Sequence, residues 1–475
     1  MSHPLLRELP SVGVLLDDPA VAALAIGRRR AWVTRVVQRA VEGLRRDLAR
    51  GRGELPGDRE QLLAEARRRI QSEVERLLAP ASRRVINGTG IVVHTNLGRS
   101  NWPEKAVAWA NIVAAGNSDL EFVLETNQRG HRGRKVEEKI ALLAGAEDAL
   151  VINNNAAAVW LAVRHATCGG KLILSRGEVV AIGGSFRMHE ILAEAQCELV
   201  EVGTTNRTSL ADYEEALTPG ATLMKVHRSN FHQSGFIAEV GVADLADLAR
   251  RHGCKLVYDA GSGALFPFQE LGLPAEPTLG EDMATGADLV TCSGDKLLGG
   301  CQAGIILGSR EEIAALRRHP MRRAFRVDKT TLAALDAVLT LYLEAEDLPD
   351  LPTLRNLARP VADLEQGAAD LAGELASSLP AGWATRTVEA VAKVGGGSFS
   401  EAELPTRLLQ FTGPQPELER VHQILRDGDP AVVARITQDG LGLDLRSIAP
   451  DEYALVVSAL GAAWDRLHAQ KTRSE

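Results

Sequence analysis

Short β-rich runs alternate with helical ones between residues 145 and 310, and this alternation constrains the fold more than any other feature of the chain. The runs are Ala149-Leu-Val-Ile152, Lys171-Leu-Ile-Leu174, Glu198-Leu-Val-Glu-Val202, Thr222-Leu-Met-Lys-Val226, Lys255-Leu-Val-Tyr258 and Asp288-Leu-Val-Thr291. Helical stretches such as 244–251 lie between them. Strands separated by helices build a mostly parallel sheet with helices on both faces. Gly304-Ile-Ile-Leu-Gly308 reads as one more strand, and 329–345 as a helix. Leu348-Pro-Asp-Leu-Pro352 is a linker signal, after which 355–470 reads as a smaller α/β unit. Its strands are expected near 385–391, 431–436 and 442–444. The fold class is therefore α/β, and 475 residues call for two or three domains.

The first 80 residues follow another rule. Val33, Val37, Ala40, Val41, Leu44 and Leu48 recur with a helical period, while Arg35, Arg39, Arg46 and Arg50 occupy other faces. Gly51-Arg52-Gly53 and Leu55-Pro56-Gly57 form a loop. Asp58 caps a second helix, with Gln61 as capping-box partner. Leu62, Leu63, Ala66, Ile70, Val74 and Leu77 line that helix, and Pro80 closes it. The domains expected are thus 1–80, 81–345 and 346–475.

Charge is uneven along the chain. Residues 1–80 hold 15 arginines and no lysine against 11 acids, a net +4 in a chain whose total is -8. Both a polyanion-binding appendage and a solvated arginine-rich helix pair fit that asymmetry. The five cysteines are scattered without a Cys-x-x-Cys pair, which argues against a zinc site or a disulfide framework. No apolar stretch of membrane-spanning length and no signal-peptide pattern is visible, so a cytoplasmic protein is expected.

In open α/β sheets ligands bind beyond the carboxyl ends of the strands, so the residues there matter most. Asn153-Asn154-Asn155-Ala156-Ala157-Ala158 follows the first run, and small residues at a helix start leave backbone N–H groups free for a phosphate. An ordinary Asn cap explains the same residues. Asp259-Ala-Gly-Ser-Gly263 follows another run, and Asp259 there is either a turn former or a group facing a ligand. Cys292-Ser293-Gly294-Asp295-Lys296 places a lysine in an apolar, glycine-rich setting. Alone, such a lysine is most simply a surface residue.

Together the three define a chemistry. Pyridoxal 5'-phosphate needs an anion site, a lysine amine for its Schiff base, and an acid that keeps its ring nitrogen protonated. The lysine becomes nucleophilic when desolvated or set beside a cation. Rival cofactor motifs are missing: no Gly-x-Gly-x-x-Gly follows a strand, Gly170-Lys171-Leu172 lacks the rest of a P-loop, and no metal-ligand pair stands out.

Longer motifs carry a resemblance. Ile86-Asn-Gly-Thr-Gly-Ile-Val-Val-His-Thr-Asn-Leu-Gly-Arg99, Ile152-Asn-Asn-Asn-Ala-Ala-Ala158, Ser175-Arg-Gly-Glu178 and Val202-Gly-Thr-Thr-Asn-Arg207 resemble bacterial selenocysteine synthases, the L-seryl-tRNA(Sec) selenium transferases. So do Asp259-Ala-Gly-Ser-Gly263, Ser293-Gly-Asp-Lys-Leu-Leu-Gly-Gly300 and Arg323-Ala-Phe-Arg-Val-Asp-Lys329. Cys301, Asn127-Gln128 and Ala260 depart from the usual pattern without touching a proposed catalytic group. Cys301 is open to two readings, a reactive thiol or a packed side chain.

The resemblance implies a fold-type I pyridoxal-phosphate transferase that converts seryl-tRNA(Sec) to selenocysteinyl-tRNA(Sec) with selenophosphate. The route implied runs through a Lys296 aldimine and an aminoacrylyl-tRNA. It gives Lys296 and Asp259 catalytic roles and assigns the cofactor to Asn154, Asn155, Ala156, Asp259, Ser293 and Lys296. Arg99, Arg323 and Arg326 become candidates for selenophosphate, since guanidinium forks suit a tetrahedral oxyanion. Arg323 and Arg326, three apart, would share a face on a helix; pairing with Glu311 or Asp328 is the structural alternative. Arg446 contacts substrate or braces the small domain. The resemblance also implies tRNA binding by the arginine-rich first domain and a homodecamer built as a pentamer of dimers. Two other functions fit the residues: a pyridoxal-phosphate lyase on a small amino acid or amino sugar, and a non-catalytic tRNA-binding ring protein.

Overall fold

The computed structural model describes residues 4–50, 57–182, 186–229, 231–399 and 402–471. The chain divides into two compact units, Met1–Arg84 and Val85–Glu475. In the first, the helices Arg30–Arg50 and Arg59–Leu78 form an antiparallel-period pair of apolar stripes. Val33, Val37, Ala40, Val41, Leu44 and Leu48 are buried as their spacing requires, joined by Val36. Leu62, Ala66, Ile70 and Val74 form the stripe of the second helix, whereas Leu77 is exposed. Two short helices, Val12–Leu16 and Pro19–Ala25, add Leu15 and Val21 to this core. Asp58 caps the second helix by accepting from Gln61 N at 2.8 Å, and the Gln61 side chain reaches back to Gly57 N rather than to the cap residue. The expected glycine-rich loop at 51–56 lies outside the described residues.

The second unit holds the expected sheet. Seven strands lie in the order Asp148–Ile152, Gly304–Gly308, Leu289–Ser293, Lys255–Gly261, Thr222–Val226, Lys171–Ser175 and Glu198–Val202. All pairs are parallel except those of Gly304–Gly308, which runs antiparallel to both neighbours. Six of these strands are buried over nearly their whole length, because helices cover both faces. Two apolar clusters result. One holds Leu245, Leu248 and Phe268; the other holds Leu161, Val163 and Leu192 from the opposite face.

A six-stranded sheet lies in the order Val85–Gly88, Ala431–Thr437, Gly440–Asp444, Leu404–Thr412, Ala384–Gly395, Ile91–Val93. The expected boundary at 81 attached residues 85–93 to the large domain; they instead supply both edge strands of this smaller sheet. The chain therefore passes through the small sheet before entering the large one. Arg446 belongs to this part. Its guanidinium donates to the carbonyls of Asn356, Leu357, Arg359 and Pro405 at 2.6–3.2 Å, so it braces the small domain. Among the described residues no helix is long and apolar enough to cross a membrane, and no cluster of metal-binding side chains occurs.

Candidate active site

The site is built from strand ends that the sheet brings side by side. Asp259 lies near the end of Lys255–Gly261, paired in register with Val226 on one side and Thr291 on the other. It is buried, and its Oδ1 accepts from Asn155 Nδ2 at 2.8 Å and from Thr291 Oγ1 at 3.0 Å. Burial pushes its pKa up, and the bond from Asn155 and the nearby Lys296 charge pull it partly back. Among the described residues Oδ2 accepts no hydrogen bond, so one face of the carboxylate is left for a ligand.

Asn154 caps the helix Asn155–Thr167, its side chain accepting from Ala157 N at 3.0 Å. The cap uses one of the orphan donors at that helix start, and the N–H groups of Asn155 and Ala156 remain for an anion. Gly304 on the neighbouring strand makes this approach feasible: a Cβ there would sit 2.1 Å from the Asn154 carbonyl oxygen. The cap expected at Asn155 falls one residue earlier, on Asn154.

Lys296 follows the strand Leu289–Ser293 in a tight loop. Leu297 N donates to Ser262 O, Gly300 N to Gly294 O, and Tyr342 Oη to Leu298 O. Ser100 Oγ donates to the carbonyls of Asp295 and Lys296 at 2.9 and 2.7 Å. The loop is thereby held from three directions. The Lys296 side chain is buried, and burial lowers its pKa, opposed by the Asp259 charge. Its Nζ makes no ion pair among the described residues, not even with Asp259, although each group shifts the other. Ser293, also buried, ends the same strand.

The three candidate arginines part company. Arg99 adopts a left-handed backbone (φ 65°) and its Nη1 pairs with both oxygens of Asp295 at 3.0 and 2.8 Å, directly beside Lys296. Arg323 ends a 3-10 turn, Pro320–Arg323, and is exposed without an ion pair among the described residues. Arg326 lies beyond that turn, so the two do not share a helix face as expected. Arg326 pairs with Glu121, not with Glu311 or Asp328; Asp328 caps the next helix. Asn153 draws this segment to the phosphate-binding end of the sheet: its N–H donates to Phe325 O at 3.1 Å. With its amide turned to suit its neighbours, Nδ2 donates to the carbonyls of Phe325 and Arg326 at 3.0 and 2.7 Å. Cys301 is packed: its Sγ donates to Thr331 O and burial pushes its thiol up to about 12.

Sequence reasoning missed Asp295 and Asn153. Both stand inside motifs already singled out, and their polar side chains at a strand end were the available signal. Their partners, Arg99 and the Phe325–Arg326 backbone, are some 170 to 200 residues away in sequence, which hid the roles.

A buried lysine, a buried aspartate and an open helix start, all at carboxyl ends of one sheet, define the fold-type I architecture of pyridoxal-phosphate enzymes. Comparison with solved structures agrees on the fold: D-glucosaminate-6-phosphate ammonia-lyase matches with a TM-score of 0.57 and 21% identity, covering 83% of this chain and 99% of that one. Residues 85–449 match the family of L-seryl-tRNA selenium transferase. The L-seryl-tRNA(Sec) selenium transferase of Solidesulfovibrio magneticus is 44% identical over 97% of this chain and 98% of its own length. That of Geotalea daltonii is 40% identical over 96% and 98%. The chain belongs to the L-seryl-tRNA selenium transferase family.

Proposed function

We propose that this protein converts L-seryl-tRNA(Sec) to L-selenocysteinyl-tRNA(Sec), with pyridoxal phosphate as cofactor and selenophosphate as selenium donor. Family membership supplies the reaction, and one observation carries it to these residues. Lys296 is buried with a lowered pKa and an unpaired Nζ, beside an aspartate whose outer oxygen is free.

The residues fit the cofactor. Asn155 Oδ1 is a buried acceptor without a partner, and Lys296 and Asp259 are both buried and shift each other's pKa without forming an ion pair. Asn154, Asn155, Ala156 and Ser293 would hold its phosphate, Asp259 its ring nitrogen and Lys296 its aldehyde carbon. When bound, the cofactor supplies an electron sink that acidifies the seryl Cα–H.

The chain's own groups do the rest. Asp259 keeps a proton at the ring nitrogen. The Lys296 amine, whose pKa burial lowers, takes the Cα proton. The β-hydroxyl takes a proton and leaves as water, selenophosphate adds through its selenium at Cβ while Lys296 delivers a proton to Cα, and water then breaks the Se–P bond, releasing phosphate and leaving the selenol. Arg99, oriented by Asp295, binds the selenium donor together with Arg323 and Arg326. The arginine-rich region 1–80 grips the tRNA, 81–345 carries the cofactor and 346–475 forms the small domain. The working assembly is a cytoplasmic homodecamer.

Single-turnover conversion of seryl-tRNA(Sec) with selenophosphate tests the reading. Wild type should convert it and Lys296→Ala should not. A visible cofactor band in a wild type that leaves seryl-tRNA untouched would retain the cofactor and refute the reaction.

A further inference from the structure

Lys296 takes one proton from Cα and returns one to it, so it has none to spare for the β-hydroxyl, which must be protonated to leave as water. A second acid–base group stands at the same strand ends. The Asp259 strand has two neighbours, Leu289–Ser293 and Thr222–Val226. Lys296 follows the first, and His227 directly follows the second. The His227 N–H donates to the Asp259 carbonyl at 2.9 Å, which ties the two residues together through the backbone.

The His227 imidazole has a carboxylate of its own. Glu276 is 4% exposed, and its Oε1 is buried without a hydrogen bond among the described residues. The ion pair it makes there is with His227, whose Nδ1 lies 3.7 Å from Oε1. A buried carboxylate without a donor is costly, and a protonated imidazole is the partner within reach. The loop that carries Glu276 is stiff. Glu276 stands between Pro274 and Pro277, and just beyond them Leu279 N donates to Ala264 O at 2.7 Å, beside the Asp259-Ala-Gly-Ser-Gly263 turn.

The pair also shares the field of the site. Burial raises the pKa of Asp259, and His227 is among the charges that pull it back. Burial lowers that of Lys296, and Glu276 is among the charges that raise it. A carboxylate at Nδ1 fixes the ring and leaves Nε2 to donate, the arrangement by which an imidazole serves as a general acid.

We propose that His227 is the catalytic acid for the β-hydroxyl, with Glu276 as its positioning residue. The inference rests on the seryl-tRNA reading. The electron pair freed at Cα closes the Cα–Cβ double bond, and the Cβ–O bond breaks with its pair going to oxygen. His227 Nε2 gives that oxygen a proton, and water departs. Selenophosphate enters with one acidic hydrogen and passes it to Nε2 as selenium bonds to Cβ, which restores the acid. Lys296 keeps the Cα proton meanwhile.

The test removes the need for an acid, because chloride leaves without a proton. Full-length holoenzyme is given seryl-tRNA or β-chloroalanyl-tRNA with the selenium donor left out, and elimination from each is read in single turnover as pyruvyl-tRNA. His227→Gln should slow elimination from seryl-tRNA roughly 100- to 10,000-fold, the contribution of a general acid. It should eliminate from β-chloroalanyl-tRNA at close to the wild-type rate. It should also still exchange the seryl Cα hydrogen with heavy water, a readout of Lys296 that needs no elimination. Glu276→Gln should show the same selectivity with a smaller loss, and both variants should keep the visible cofactor band.

Equal slowing with the two substrates would make the pair structural and overturn the inference, and so would an unchanged rate with seryl-tRNA. If His227→Gln loses the cofactor band, the ratio of the two rates in Glu276→Gln decides in the same way. A wild type that neither exchanges the Cα hydrogen nor eliminates from seryl-tRNA fails the underlying reading, and this inference with it.

Discussion

Asn155→Ala isolates the group that sets the charge of Asp259. In the structure Asn155 Nδ2 lies 2.8 Å from Oδ1 of the buried Asp259. A hydrogen bond to a charged group contributes about 1.5–3 kcal/mol. Its loss falls almost wholly on the ionised carboxylate, because the protonated acid depends less on the donor. Since one pKa unit corresponds to ~1.4 kcal/mol, Asp259 should become protonated about one to two pH units higher than in wild type. The direction follows from the state that works. Asp259 acts as an anion, so activity is present above its pKa and lost as pH falls through it. Burial already raises that pKa and Asn155 opposes the rise, so removing Asn155 moves the acid limb to higher pH. The assay is the pH dependence of kcat/KM for seryl-tRNA, followed together with the pH dependence of the bound cofactor's visible band. Thr291 Oγ1 still donates to the same oxygen, so the variant should keep partial activity at high pH. An acid limb identical to wild type would refute the claim that Asn155 controls Asp259. A loss of activity equal at every pH would refute it as well, and would assign Asn155 to binding alone.

Other substitutions test other layers of the argument. Gly304→Ala puts a Cβ 2.1 Å from the Asn154 carbonyl oxygen, so the helix start must move; cofactor affinity, measured by fluorescence titration, should fall at least about tenfold. Arg446→Ala removes the donor shared by four carbonyl groups, of which that of Leu357 is buried, and should cost about 1–3 kcal/mol, seen as a lower melting temperature with the cofactor spectrum unchanged. Arg35 and Arg46 are exposed and unpaired among the described residues; Arg35→Ala and Arg46→Ala should each reduce the salt slope of tRNA binding by about 1 and leave cofactor binding alone.

The parts of this protein that were legible in sequence are those that obey a local rule. A strand buried on both faces must be apolar over most of its length, so the runs at 149–152, 222–226 and 288–291 announced themselves. The helical stripe from Val33 to Leu48 did so through its period. Lys296, Asp259 and Asn155 were found because the strand-end rule said where to look. The strand Leu404–Thr412 escaped: Pro405 near its start and an irregular burial pattern hide its period. The strands within residues 85–93 were not read at all, because two short edge strands carry no mark of the partner they will pair with, and theirs lies more than 290 residues further on.

The same contrast explains why the proposed cofactor residues were easier to read than the proposed selenium-donor residues. Lys296 and Asp259 are buried, which the surrounding apolar sequence foretells. Arg99 owes its to Asp295, 196 residues away, and Arg326 is steered by Asn153 and Glu121. A guanidinium that must stay available to an oxyanion cannot be sunk in a core, so it has to be oriented by charged partners brought by tertiary structure. Such partners leave no periodicity. Arg323 shows the limit of spacing arguments: three residues from Arg326, it would share a helix face, yet the helical turn that begins at Pro320 stops at Arg323 and the chain runs on without it. One arginine is then paired with Glu121 while the other is exposed without an ion pair among the described residues, so the spacing of three placed them in different surroundings.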